Sequence, residues 1–164
     1  MDEEGCAEIS DWSEKRYGFV PNLLRALSQG PAFYRRHTLA LTLLEAPQTA
    51  LLSARRHAMV RRLVNRLNQG SYFDATTLAL MSQHVGSLDA SEHDDGDRVV
   101  LAFAEKLVRN AYKVTAREAQ QFRDNGLDDA AYIDVLNTVS IQTSLDRVAN
   151  SLGVKADSGL LLPV

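Results

Sequence analysis

The stretch from Arg55 to Thr77, RRHAMVRRLVNRLNQGSYFDATT, constrains the fold more than any other part of the chain. Val60, Leu63, Val64 and Leu67 recur at the three- and four-residue steps of an α-helix, so the segment carries one apolar stripe to bury. Ser53 stands where an N-cap belongs, and Gly70 where a helix ends. Ser71 and Asp74 then form an S-x-x-D start signal, which predicts a second helix from this junction to about Val85. Opposite the apolar stripe, Ala58, Arg62 and Asn65 share one face, because steps of four and seven residues return to nearly the same angle.

The same periodicity extends along the chain. Tyr17-Gly18-Phe19-Val20-Pro21-Asn22 reads as a turn feeding a short helix, Asn22 to Ser28, with Asn22 able to cap it. Gly30-Pro31 opens a helix carrying Phe33, Leu39, Leu41, Leu43 and Leu44 to about Glu45, where Pro47 stops it. Residues 86–96 read as a polar loop. A helix from Asp97 to Ala111 turns Val100, Leu101, Phe103, Ala104, Leu107 and Val108 inward. Thr115 and Glu118 make a capping box for a short helix ended by Gly126, and a long helix runs from near Asp128 to Leu152, closed by Gly153. No stretch sustains a two-residue alternation, so no sheet is expected. The prediction is an all-α, single-domain bundle of about seven helices. Residues 1–16 form an N-terminal segment, 17–155 the helical domain, and 156–164 a tail that is ordered only if something holds it.

Composition excludes several classes of function. A chain of 164 residues is most simply one domain, and its formal charge of −3 gives no global attraction to nucleic acid or anionic lipid. Arg55, Arg56, Arg61, Arg62 and Arg66 crowd one helix, but they spread over a wide arc without an aromatic stacking platform, so no nucleic-acid partner is expected. Asp89, Glu92, Asp94, Asp95 and Asp97 read as a solvated acidic loop. The one cysteine, Cys6, allows no intramolecular disulfide, which fits a reducing, cytoplasmic compartment. No signal peptide and no membrane span are expected. No metal-ligand spacing and no glycine-rich phosphate loop occur, so neither a metal nor a cofactor is expected.

Four segments in order resemble one family. They are Tyr17-Gly18-Phe19-Val20-Pro21-Asn22-Leu23; Leu52-Ser53-Ala54-Arg55 with Asn65-Arg66-Leu67-Asn68; Leu101-Ala102-Phe103-Ala104-Glu105-Lys106-Leu107; and Asp146-Arg147-Val148-Ala149-Asn150-Ser151-Leu152-Gly153. Together they resemble the alkylhydroperoxidase D / carboxymuconolactone decarboxylase superfamily, in its peroxidase-related branch, over roughly residues 17 to 155. The resemblance implies an all-α fold assembled as a trimer or hexamer, with sites near subunit interfaces. Redox members carry a glutamate, two cysteines at the helix junction and a histidine. One thiolate attacks the peroxide, and the other resolves the sulfenic acid to a disulfide. On this chain the glutamate position is Ala58, the cysteine positions are Gly70 and Phe73 with Tyr72 between them, and the histidine position is Thr77. None of these side chains can form a thiolate or a disulfide, so the thiol peroxidase chemistry is lost. Cys6 lies far off in sequence and has no resolving partner. The decarboxylase branch relies on acid–base groups instead, and no acid–base pair here matches it.

Two readings of the altered junction remain. In one, Arg62, Asn65, Asn68, Tyr72, Phe73 and Thr77 line a pocket for a small acidic metabolite, with Tyr72, Asp74 and His84 as candidate catalytic groups of a non-redox lyase or isomerase. In the other, Phe73 plugs the core, Tyr72 packs at an interface and the arginines are solvated. The protein is then a catalytically silent interaction partner of an active paralogue, and residual peroxidase-related antioxidant function is a further alternative. His57 points about 100° away from Ala58, one residue's turn of the helix. His37 and His93 read as surface residues. Asp134, Asn137, Gln142 and Asp146 interrupt an otherwise apolar helix and read as an ion pair or subunit contact, or else as pocket groups.

Overall fold

In a computed structural model of the protein, the structure describes residues 10–15, 17–28, 30, 35–36, 39, 52–73 and 92–157. All regular structure among them is helical: α1 (Asn22–Leu27), α2 (Ala54–Leu67), α3 (Asp95–Asn110), α4 (Ala116–Asp124) and α5 (Asp129–Ser151), with a 3-10 turn at Ala111–Lys113. Residues 10–15 are helical too, and a further helix begins at Ser71. The all-α expectation is met, and no helix is long and apolar enough to cross a membrane among the described residues.

α2 packs against both α3 and α5, and α4 packs against α3 and α5 as well. Val60 and Val64 of α2 meet Val100, Phe103 and Ala104 of α3, Phe122 of α4, and Val135 and Val139 of α5 in one apolar cluster. Phe103 stacks on Tyr132 at 4.5 Å, and Phe122 meets both rings edge-on at 5.3 Å. A second cluster joins Leu23, Leu24 and Leu27 of α1 to Tyr72, Phe73, Leu145 and Ala149, with Trp12 packed on it. Leu39 is 60% exposed.

Three helix starts follow the sequence. Ser53 accepts from the Arg56 amide, Asp128 accepts from the Ala131 amide, and Thr115 and Glu118 form the reciprocal box. The start of α3 corrects the expected acidic loop. The helix begins two residues early, at Asp95, because Asp94 and Asp97 cap each other's backbone amides. Asp97 is 1% exposed and forms ion pairs with Arg55 and with Arg56, the latter at 2.8 Å. Burial pushes its carboxyl up, but hydrogen bonds from the two arginines outweigh that and hold it down at about 2. The arginine-rich helix therefore takes its counter-charges from α3, not from its own turn.

Asn22 corrects a second expectation. It is the first residue of α1, Pro21 occupies the cap position, and no side chain of α1 caps it. The Asn22 amide instead donates to Asp157 Oδ1 at 2.8 Å, and its side chain donates to the Lys155 carbonyl at 3.3 Å. The segment after α5 thus reaches back to cap α1, which is what holds the first tail residues in place.

Candidate functional site: the elbow after α2

α2, α4 and α5 end in the same way. The residue after each cap is left-handed: Gln69 at φ 55°, Gly126 at φ 73° and Gly153 at φ 61°. Two backbone bonds then close each turn, for α2 from Gln69 to the Arg66 carbonyl at 3.1 Å and from Gly70 to the Asn65 carbonyl at 2.8 Å. The sequence assigns the cap glycine to Gly70, but the structure moves it: Gln69 takes the left-handed position and Gly70 is the residue after it. Glycine is needed at 70 for a different reason. A Cβ there would stand 2.3 Å from Asn65 Nδ2 and 3.1 Å from Asp146 Oδ1.

The space beside Gly70 belongs to a buried polar network. Asn65 and Gln142 both donate to Asp146 Oδ1 at 2.8 Å, and Asn68 donates to Asp146 Oδ2 at 2.9 Å. Arg61 Nε donates to Gln142 Oε1 at 3.0 Å. Asn65, Gln142 and Asp146 have no exposed surface, and Arg61 is nearly buried. Asn150 closes the rim by donating to the Asn68 and Gln69 carbonyls. Burial pushes the Asp146 carboxyl up, against the pull of the three amides and the Arg61 charge. Three amide donors hold its two oxygens, two on Oδ1 and one on Oδ2. Asn65 Oδ1 is buried without a partner.

On the other side of Gly70, Tyr72 and Phe73 are each 3% exposed and meet edge-to-face at 4.8 Å. The Tyr72 hydroxyl donates to Asp157 Oδ2 at 2.7 Å. Ala58 is buried as well.

The structure brings Asn65, Asn68, Tyr72 and Phe73 together at the elbow, with Asn65, Asn68 and Tyr72 bonded inward and Phe73 in the core. Arg62 is half-buried on the same helix. Asp74, Thr77 and His84 lie outside the described residues, as do Cys6 and His37. His93 is not a plain surface residue: it is half-buried, and its Nε2 has no partner. His57 is held down to about 4, first by burial and then by the Arg61 charge, against a weaker pull from Asp134. It is therefore neutral at pH 7. Asp134 accepts from the Leu52 amide at 3.0 Å, and Asn137 is exposed.

Two groups escaped the sequence reading. Arg61 was one of five arginines on a helix, and nothing local separates it from Arg62. Asp157 follows the last helix in a stretch without periodicity. The network itself left a trace: Gln142 and Asp146 stand four apart in an apolar helix, and Arg61, Asn65 and Asn68 stand four and three apart on another. Asp146 pairs with amides, not with the neighbouring Arg147, which is exposed.

No family's sequence profile matches the chain, and no curated protein matches it in sequence. Solved structures do match. One is an uncharacterized peroxidase-related protein from Silicibacter sp. TM1040, with a TM-score of 0.80 at 19% identity over 98% of this chain and 90% of that one. A second is an uncharacterized peroxidase-related protein from Ralstonia eutropha JMP134, described as an alkylhydroperoxidase AhpD core. Its TM-score is 0.82 at 20% identity, over 97% and 88% of the two chains. A third is a cysteine-to-alanine variant of the debrominase Bmp8 in complex with 2,3,4-tribromopyrrole, with a TM-score of 0.77 at 11% identity over 98% and 91%. The helices, their order and their elbow are therefore those of the alkylhydroperoxidase D-like fold, and that is the fold of this protein.

Proposed function

We propose that this protein is a redox-silent version of the peroxidase-related fold that acts as an interaction partner within an assembly, and not as a thiol peroxidase. The filled elbow carries this reading. Gly70 has no room for a β-carbon, and Phe73 is a core residue. The amides and the phenol that a metabolite pocket would use are already bonded to Asp146 and Asp157. A peroxide needs a thiolate to attack it and a second thiol to resolve the product. The elbow offers neither, and Cys6 is the only sulfhydryl in the chain. That single cysteine also supports a reducing, cytoplasmic setting. The partners are further copies of this chain, as a trimer or hexamer, and an active paralogue that keeps its cysteines.

The test has two arms. With tert-butyl hydroperoxide and a dithiol reductant, the purified protein should show no turnover above background. Turnover retained in Cys6→Ser would reveal a mechanism outside the thiols, and turnover lost in Cys6→Ser would make Cys6 the nucleophile. Either result overturns the redox claim. In the second arm, native mass spectrometry of the protein co-expressed with a cysteine-bearing protein of the same fold should show homo-oligomers and mixed oligomers. A strict monomer under both conditions defeats the interaction role.

A further inference from the structure

Asp146 carries a carboxyl group with no exposed surface. A buried charge ordinarily takes an opposite charge as its partner. Asp146 is bonded instead to three neutral side-chain amides. Arg61 is one step further away, on the other end of Gln142.

The two oxygens are held unequally. Oδ1 accepts from Asn65 and Gln142, each at 2.8 Å and each wholly buried. Among the described residues, Oδ2 accepts from Asn68 alone, at 2.9 Å. The three amides also differ in their freedom to turn. Gln142 Oε1 accepts from Arg61 Nε at 3.0 Å, so turning that amide would set an NH2 group against the guanidinium. Asn65 is packed on Gly70 and has no surface. Asn68 is half-buried at the rim, and its Nδ2 lies 3.4 Å from Thr143 Oγ1, a hydroxyl that can donate as well as accept. A half-turn of the Asn68 amide exchanges its oxygen and nitrogen without changing its shape, and the displaced NH2 reaches water.

A protonated carboxyl donates one hydrogen bond, through the oxygen that carries the proton. A proton on Oδ1 would meet two N–H groups that are pinned in place. A proton on Oδ2 would meet one amide that can turn its carbonyl oxygen inward. We propose that the elbow holds a proton switch, in which Asp146 takes a proton from solvent on Oδ2 and the Asn68 side chain turns over to accept it. The N–H···O bond from Asn68 Nδ2 to Asp146 Oδ2 breaks, an O–H···O bond from Oδ2 to Asn68 Oδ1 forms, and the buried negative charge is cancelled. The rim shows solvent an oxygen when Asp146 is charged and an NH2 group when it is neutral.

The surroundings leave this group free to titrate by itself. Burial favours the protonated form, while the three amides and the Arg61 charge oppose it. His57, one turn before Arg61, is neutral at pH 7. Asp134 is bonded to the Leu52 amide, and Asp157 to Tyr72 and Asn22. Arg62 is half-buried, and Arg66 and Arg147 are exposed. α1 and α3 meet α5 through apolar side chains.

The test is an NMR titration of the full chain. Carboxyl-carbon shifts should place the Asp146 midpoint above the ordinary aspartate value of about 4. Nuclear Overhauser contacts from the Asn68 side-chain NH2 to Thr143 should be present above that midpoint and lost below it. Asp146→Asn places an NH2 where the acid carries its OH, so it should hold Asn68 turned over at every pH, with those contacts absent throughout. Four outcomes overturn the proposal: a midpoint at or below about 4; Asn68–Thr143 contacts that persist through the titration; the same contacts in Asp146→Asn; or faster hydrogen exchange at the Gly70 amide on protonation, which would mean that the elbow opens and does not re-bond. If Asp146→Asn does not fold, the wild-type titration decides alone. The inference goes beyond the redox-silent reading, and its failure leaves the peroxide and assembly tests untouched.

Discussion

Gly70 shows how one missing methyl group organises a site. Its hydrogen atom faces the Asn65 amide, and any larger residue must push that amide away from Asp146. Gly70→Ala should therefore destabilise the protein by about 2 kcal/mol, the scale of overpacking a tight core, seen as a lower denaturation midpoint. Gly70→Cys should cost at least as much and give no peroxidase activity. The neighbouring Gln69 has the opposite fault. It holds a left-handed backbone that costs a non-glycine residue about 1 kcal/mol or more. Gln69→Gly should recover part of that and raise the midpoint, because its side chain is exposed and makes no bond in the network. His57 supplies a pH signature. Its pKa falls from 6.5 to about 4 on folding, so acid favours the unfolded chain. Its contribution is complete above pH 6.5 and is lost as the pH falls towards 4, up to about 3 kcal/mol in all. Asp97 and Glu118, both held at about 2, lose their contributions only below the ordinary carboxylate range. Asp146 has the reverse sign, since its raised pKa makes the folded state take up a proton more readily. Subtracting the pH–stability curve of His57→Gln from that of the wild type should isolate a step between pH 6.5 and 4. A flat difference would mean that the imidazole stays solvated.

At the scale of elements, the bundle is tied together by polar contacts at helix ends as much as by its apolar stripes. Asp97 does three jobs in the first turn of α3: it reciprocates the Asp94 cap and takes ion pairs from Arg55 and Arg56 of α2. Asp97→Asn keeps the shape, removes the charge and leaves two arginine contacts weakened. It should cost about 2 kcal/mol, less than a fully buried pair because both arginines keep some exposure. Added salt should change that cost little, whereas the exposed Arg98–Asp95 pair should be screened away. The ends of α4 and α5 were readable from Gly126 and Gly153, because glycine marks a left-handed cap. The end of α2 was misplaced by one residue for the same reason: Gly70 looks like a cap, and only the packing of Asn65 against it reveals its other purpose.

At the scale of the whole molecule, the chain closes on itself through Asp157. This buried carboxylate joins the Tyr72 hydroxyl to the Asn22 amide, linking the elbow, the start of α1 and the segment beyond α5. Asp157→Ala should lower stability by about 2 kcal/mol, since it leaves a buried phenol and a helix-end amide without their acceptor. Hydrogen exchange should accelerate at Asn22 and at the first turn of the elbow helix, while α3 and α4 stay protected. Unchanged exchange at Asn22 would show that the tail does not hold α1.

Helix content and the Thr115–Glu118 capping box were legible in the sequence, because they depend on residues within one or two turns of each other. Periodicity gave the apolar faces of α2 and α3, and residue identity alone shows that positions 70 and 73 carry no thiol. What fills the elbow was decided elsewhere. Asn65 finds Asp146 across 81 residues of chain, Asn22 finds Asp157 across 135, and Arg61 turns inward to Gln142 while Arg62 next to it stays at the rim. These partners are set by how α1, α2 and α5 cross. A linear pattern records the spacing of side chains on one helix, but not which helix lies against them.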